Sequence, residues 1–251
     1  MSEITHFSKL VRVSSTGSVN PAKFKVDLDP DVHLRNVKKI SLKSIRFPNY
    51  QYNIQEGIND TLIIESVADG TQTLTISPGF YNTAELMTVI ETAYNALAIT
   101  GTMTVSQAAY TYKITIAMAG DTFSLTDANI LATLGYTEQT SAAASHTAEA
   151  IPQLHGLESV HLVSKRLSSD NIIHSNNSLS NQATFCEIPV TVPFGAQNIY
   201  ISDNDDINSV VYPHPREIST VDIELHSEDG RLLNINPMHD VEVFFKIFYK
   251  N

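Results

Sequence analysis

Cysteine is the first scarcity: the sequence has one, Cys186. It cannot form an internal disulfide, so nothing asks for an oxidising compartment, and a zinc knuckle of the CxxC kind is excluded. Cys186 itself reads as a small buried apolar residue in a strand. Tryptophan is absent. There is no run of about 18 apolar residues, so no membrane-spanning helix is expected. The opening MSEITHFSKLVRVSS lacks a charged segment followed by an apolar run. No signal peptide is therefore expected, and the chain is expected to be soluble when made. A GxSxG nucleophile elbow and a glycine-rich phosphate loop are both missing.

Basic residues are also few. Lys and Arg number 16 against 27 Asp and Glu, a net charge of −11. That argues against wholesale nucleic-acid binding, and the chain carries no strong nucleic-acid signature. The charge is uneven. Residues 1–46 hold nine bases and four acids, net +5, while the rest holds seven bases and twenty-three acids, net −16. Solvated strand faces explain this blandly. The sharper explanation is that the N-terminal part meets an acidic partner surface.

What the chain has in quantity is short strands. Its 251 residues, 42% hydrophobic, can bury a substantial core. Residues 1–20 are polar and read as an N-terminal arm, disordered unless something ties it down. From residue 21 the pattern changes. In AKFKVDL, Phe24, Val26 and Leu28 alternate with Lys23, Lys25 and Asp27, a half-buried strand. In VKKISLKSIRF, Ile40 and Leu42 share one parity and Ile45 and Phe47 the other, which predicts a bulge or a strand bending between sheets. NDTLIIES and TQTLTIS flank Asp69-Gly70, a hairpin signal. Later strands are expected in LESVHLVSK, TFCEIPVTV, QNIYIS, INSVVYP, TVDIEL and DVEVFFKIFYKN.

Residues 77–151 break this rhythm. In PGFYNTAELMTVIETAYNAL, Asn82 is an N-cap with Glu85 three residues on, and Tyr81 and Leu86 occupy the staple positions. Leu86, Val89, Ile90, Ala93 and Leu97 then share a helix face. MTVS, YKITIA and FSL read as strands, TDANILATLGY as a short helix closed by Gly135, and residues 137–150 as a loop. Removing this segment leaves about eight antiparallel strands. The expected architecture is mainly β: a single eight-stranded antiparallel jelly-roll sandwich, with its first half at 21–76, a small α+β insertion at 77–151 and its second half at 152–251. A long insertion in one loop costs little extra closure entropy.

Chemistry is hard to find. His155 and His161 are six apart, and no HxH pair followed by a carboxylate occurs. His214, between prolines in YPHPRE, reads as part of a stiff polar turn. DNDDIN at 203–208 clusters acids, but Ile207 falls where a calcium ligand would stand and no glycine follows. No metal, no cofactor and no catalytic residue is assigned. The signal that does stand out is apolar. Phe244 and Phe248 fall on the face of the last strand that alternation assigns to Glu242, Lys246 and Lys250. They are candidates for burial against the insertion or against another subunit.

The order of features resembles the penton (minor capsid) proteins of virophages and polinton-like viruses, within the double jelly-roll capsid lineage. Three stretches carry the likeness: ISLKSIRFPNYQYNIQEGINDTLII; SPGFYNTAELMTVIETAYN with YKITIA, FSL and ILATLGY after it; and STVDIELHSEDGRLLN followed by DVEVFFKIFY. The resemblance implies a homopentamer at the five-fold vertices of an icosahedral virion, assembled in the infected host cell and contacting major capsid protein subunits. It implies heterologous contacts, flank to opposite flank, around the ring. It places the basic N-terminal residues, among them Lys9, Arg12, Lys38, Lys39 and Lys43, towards the capsid interior or its neighbours. It brings no catalytic residues. A receptor- or carbohydrate-binding attachment protein is the alternative, with a host receptor met through the insertion tip and YPHPRE. An enzyme on a sandwich scaffold would need two facing carboxylates.

Overall fold

The first strand, β1 (Ser8–Ser14), lies inside the stretch read as an arm. The computed structural model describes residues 7–28, 34–97, 99–126, 129–137, 139–168 and 184–249. In it, β1 pairs antiparallel with the last strand, β15 (Glu242–Tyr249), and buries Val11 and Val13. That pairing ties the arm down. The polar residues flanking the two valines hide the strand in the sequence.

Among the described residues there are fifteen strands in four antiparallel sheets, where about eight were expected outside residues 77–151 and three within them. The chain divides into two units, Met1–Gln51 with Leu157–Asn251, and Tyr52–Gly156.

The first unit contains β1 and β15 together with β2 (Lys23–Asp27), β3 (Leu34–Pro48), β10 (Ser159–Val163), β11 (Thr184–Pro189), β12 (Gln197–Ile201), β13 (Ser209–Ile218) and β14 (Thr220–Ser227). One sheet runs β1-β15-β3-β12, with β13 also on β3, and the other runs β11-β10-β14-β2. Alternation along the strands turns one face of each sheet inward. Ile40, Leu42, Ile45, Phe47, Val243 and Phe245 from one sheet meet Val160, Leu162, Phe185, Ile188, Ile223 and Leu225 from the other in a single core. Phe185 and Phe245 meet edge to face with centroids 5.5 Å apart.

The parity switch in β3 is a bulge. Ser44 pairs with Phe244 but Leu42 with Phe245, leaving Lys43 as the extra residue. Ile40, Leu42, Ile45 and Phe47 all point inward as a result. YPHPRE is part of strand β13 and not a free turn. Its register on β3 jumps between Val211 and Arg216, and the prolines sit in that irregular stretch, where no ladder donor is needed.

The second unit contains β4 (Thr61–Ser66), β5 (Gly70–Thr75), α1 (Thr83–Asn95), β6 (Thr102–Gln107), β7 (Ile114–Ala119), β8 (Phe123–Thr126), α2 (Leu131–Leu134) and β9 (Ser145–Thr147). Its sheets run β5-β4-β8 and β6-β7-β9. The unit therefore begins near residue 52, not 77. The hairpin at Asp69-Gly70 forms as expected, but β4 pairs with β8 and buries Leu62 and Ile64 in this unit's own core. The loop expected over 137–150 holds β9.

α1 starts as its sequence dictates. Asn82 Oδ1 accepts from the Glu85 N–H at 2.9 Å, and Glu85 Oε2 accepts from the Asn82 N–H at 2.9 Å. Leu86, Ile90 and Tyr94 form its buried stripe, and Tyr94 takes the place expected of Leu97, which is exposed. Gly135 closes α2 with φ +90°, and a Cβ there would lie 2.3 Å from the Ala150 carbonyl oxygen. Gly135→Ala should lower the unfolding free energy, measured by urea denaturation, by more than about 2 kcal/mol, because left-handed strain adds to a backbone clash. Asn82→Ala should cost about 1 kcal/mol.

Candidate functional site: the outer face of the five-stranded sheet

Cross-strand pairing arranges the outward side chains of this sheet in rows. Ser8, Phe248, Lys39 and Val211 form one row. Leu10, Lys246, Ser41 and Ser209 form the next. Arg12, Phe244, Ser44 and Ile201 make a third, and Ser14, Glu242, Arg46 and Ile199 a fourth. Phe244 and Phe248 are half-buried within the rows. Around them Leu10 is 58% exposed, Ile199 57%, Ile201 65% and Val211 61%.

Strand β12 shows the least expected choice. QNIYIS offers two isoleucines for the core, yet β12 turns Asn198 and Tyr200 inward and both isoleucines out. Asn198 is fully buried, donating to the Pro189 carbonyl at 3.1 Å and accepting from the Thr191 N–H at 3.2 Å. Tyr200 packs against the core and accepts from Asn208 Nδ2 at 2.6 Å. Sequence reasoning missed Ile199, Ile201 and Val211, because alternation gives the parity of a strand but not which parity faces in. The available signal was Asn198, whose amide can clip the connection preceding β12.

The face is also charged, and its charges are paired within the chain. Glu242 lies between two guanidiniums, Arg46 at 2.9 Å and Arg12. Asp205 accepts from Lys43 at 3.0 Å and from Lys246. Asp206 pairs with Lys39. The ammonium groups of Lys39 and Lys246 stand 5.2 and 5.0 Å from the Phe248 ring centroid, as cation–π partners. Of the basic residues picked from the sequence, Arg12, Lys39 and Lys43 gather on this face. Lys38 donates to the Pro213 carbonyl at 3.1 Å, and Lys9 stands exposed opposite Ile247 on the edge strand. Two of the DNDDIN acids, Asp205 and Asp206, are accordingly lysine partners. No group of three or more His, Cys, Asp or Glu that could hold a metal ion occurs among the described residues. Cys186 is buried, and burial pushes its thiol up to about 12.

No protein-family model matches the chain, nor does any curated protein. Solved structures do. The chain is similar to the mavirus penton protein with a TM-score of 0.56 and 9% identity, over 98% of this chain and 100% of that one. It is also similar to a chain of the Sputnik virophage structure, with a TM-score of 0.46 and 14% identity, over 97% and 98% of the two chains. The chain thus has the fold of the mavirus penton protein over nearly its full length, and the resemblance read from the sequence is matched at the level of the fold.

Asp205 carries a pH prediction. The hydrogen bonds from Lys246 and then Lys43 hold its carboxyl below the ordinary range. A depressed carboxylate stabilises the fold above its unfolded value and loses that contribution as pH falls through the folded value. Melting temperature should therefore decline as pH drops below about 4. In calorimetry across pH, Asp205→Asn should remove that part of the decline and cost no more than about 1 kcal/mol at neutral pH, since the pair is partly solvated.

Proposed function

We propose that the chain is a structural protein of a virion, the penton capsomer, forming a homopentamer at the five-fold vertices of an icosahedral capsid. One observation carries this reading. The chain enters the two large sheets in the order first, second, first, second, second, first, second, first, through β1, β2, β3, β10, β11, β12, β14 and β15. That palindromic alternation supports the reading of the larger unit as an eight-stranded jelly roll, with β13 as an added strand. The six-stranded unit is inserted in its middle, between β3 and β10, and the mavirus penton protein matches over this whole arrangement. Major capsid protein subunits around the vertex are the further partners, and the virion vertex is the location. No step of catalysis is assigned, and no cofactor is called for.

Attachment to a host surface is the second reading, and one feature favours it. At the β6–β7 hairpin tip Tyr110 is 96% exposed, and Tyr112 is exposed with φ +56°, uncommon for an aromatic residue. Three hydrogen bonds hold that tip, Tyr112 N–H to the Ala108 carbonyl at 2.9 Å, Ala108 N–H to the Lys113 carbonyl at 3.1 Å and Gln107 Nε2 to the Tyr112 carbonyl at 2.8 Å.

Light scattering of the purified chain separates the readings. A stable particle near five times 27.7 kDa is expected over a range of concentrations. A trimer would move the weight to an attachment spike, and a chain that stays monomeric at every concentration would overturn the pentamer.

A further inference from the structure

We infer that the outer face of the β1-β15-β3-β12 sheet of one copy packs against the outer face of the β11-β10-β14-β2 sheet of the next copy. The inference rests on the pentamer reading and names the two flanks that meet.

Three observations carry it. The first is the inversion of β12. A one-residue slip would bury Ile199 and Ile201 and expose Asn198, yet the strand holds the opposite register. With Leu10 and Val211 these isoleucines surround the half-buried Phe244 and Phe248, so one sheet face has apolar residues on four of its five strands, β3 alone contributing none. A face of that kind marks an association surface.

The second is its charge. Five bases (Arg12, Lys39, Lys43, Arg46 and Lys246) stand among three acids (Asp205, Asp206 and Glu242), giving +2 on a chain whose net charge is −11. The third is the complement on the other sheet. Register puts Glu187 opposite His161 and His161 opposite His226; Glu224 lies opposite Lys23, Asp222 opposite Lys25 and Asp27 opposite Thr220. Four acids thus face outward with two lysines, and Arg166, beside Asp222 and within electrostatic reach of Asp27, is a third cation, giving −1. Glu187, Pro189, Lys23, Lys25 and Asp27 are exposed there.

Opposite charges on opposite flanks suit a heterologous contact. Positive meets negative at every interface, and like flanks repel, which disfavours an isologous dimer through either face. The partner this surface fits is a second copy of the chain.

Two measurements test it. Ile199→Asp with Ile201→Asp puts two carboxylates on exposed positions, where the fold tolerates them, and desolvates them in the contact. The concentration at which the particle dissociates should rise about a hundredfold or more, while the melting curve of the dissociated chain matches that of wild type at equal dilution. Tyr110→Asp, on the other unit, should change nothing. In the wild-type chain, mixed from light and 15N-labelled protein, carbodiimide cross-linking should give inter-copy amides between Lys39 or Lys246 and Glu187 or Asp27. A wild-type pentamer that survives the double substitution, or whose inter-copy cross-links all lie elsewhere, overturns this assignment and leaves the pentamer standing. A wild-type chain that never associates overturns both.

Discussion

The structure of the larger unit depends on the bulges of β3. A regular strand of fifteen residues would place inward residues two apart, but β3 buries Leu34, Val37, Ile40, Leu42, Ile45 and Phe47. Its steps of three require extra residues. One is Lys38, between the pairs Phe248–Lys39 and Tyr249–Val37, and another is Lys43. Asn36 has φ +56°, in the left-handed region that asparagine tolerates. Each bulge restores the apolar parity and increases local twist, so a long strand can curve over one core and serve β15, β12 and β13 along its length.

The same bulges set up the outer face. Lys43 leaves the ladder, and its ammonium reaches the Ser202 carbonyl at 2.9 Å and Asp205 at 3.0 Å, both in the connection after β12. Asp205 also holds Lys246 of β15. One carboxylate from a loop therefore joins two strands that are neighbours in the sheet. The packing error that a strict alternation would have produced is converted into a charged clamp on the opposite side.

What the sequence revealed follows from how local each signal is. The capping box of Asn82 and Glu85, the glycine that ends α2, the hairpin at Asp69-Gly70 and the bulge in β3 are encoded within a few residues, and all could be read directly. The domain boundary could not. Leu62 and Ile64 alternate in β4 as well as any strand of the larger unit, and only their pairing with β8, some sixty residues on, assigns them to the inserted unit. β1 was hidden for a related reason, since its partner β15 lies at the far end of the chain. The charge asymmetry was legible as a count but not as a geometry. Part of the basic excess in residues 1–46 is met by Asp205, Asp206 and Glu242 of the same chain, so the acidic surface it seeks lies partly at home.

The orientation of β12 was the hardest to foresee, and its energetics are the most informative. Fully burying an isoleucine side chain is worth about 1.5–3 kcal/mol relative to exposing it, so turning two of them outward forgoes several kcal/mol. Burying Asn198 recovers only about 1 kcal/mol for each hydrogen bond it makes. The local clip therefore explains how β12 tolerates its register, but not why isoleucine stands at 199 and 201, where threonine or lysine would suit a wet strand. Opposite those two positions are Ser44 and Arg46, with Phe244 in the same row as Ile201. Ile199 and Ile201, each more than half exposed, gain little from being apolar in a solitary molecule. Their presence makes physical sense when the face is covered.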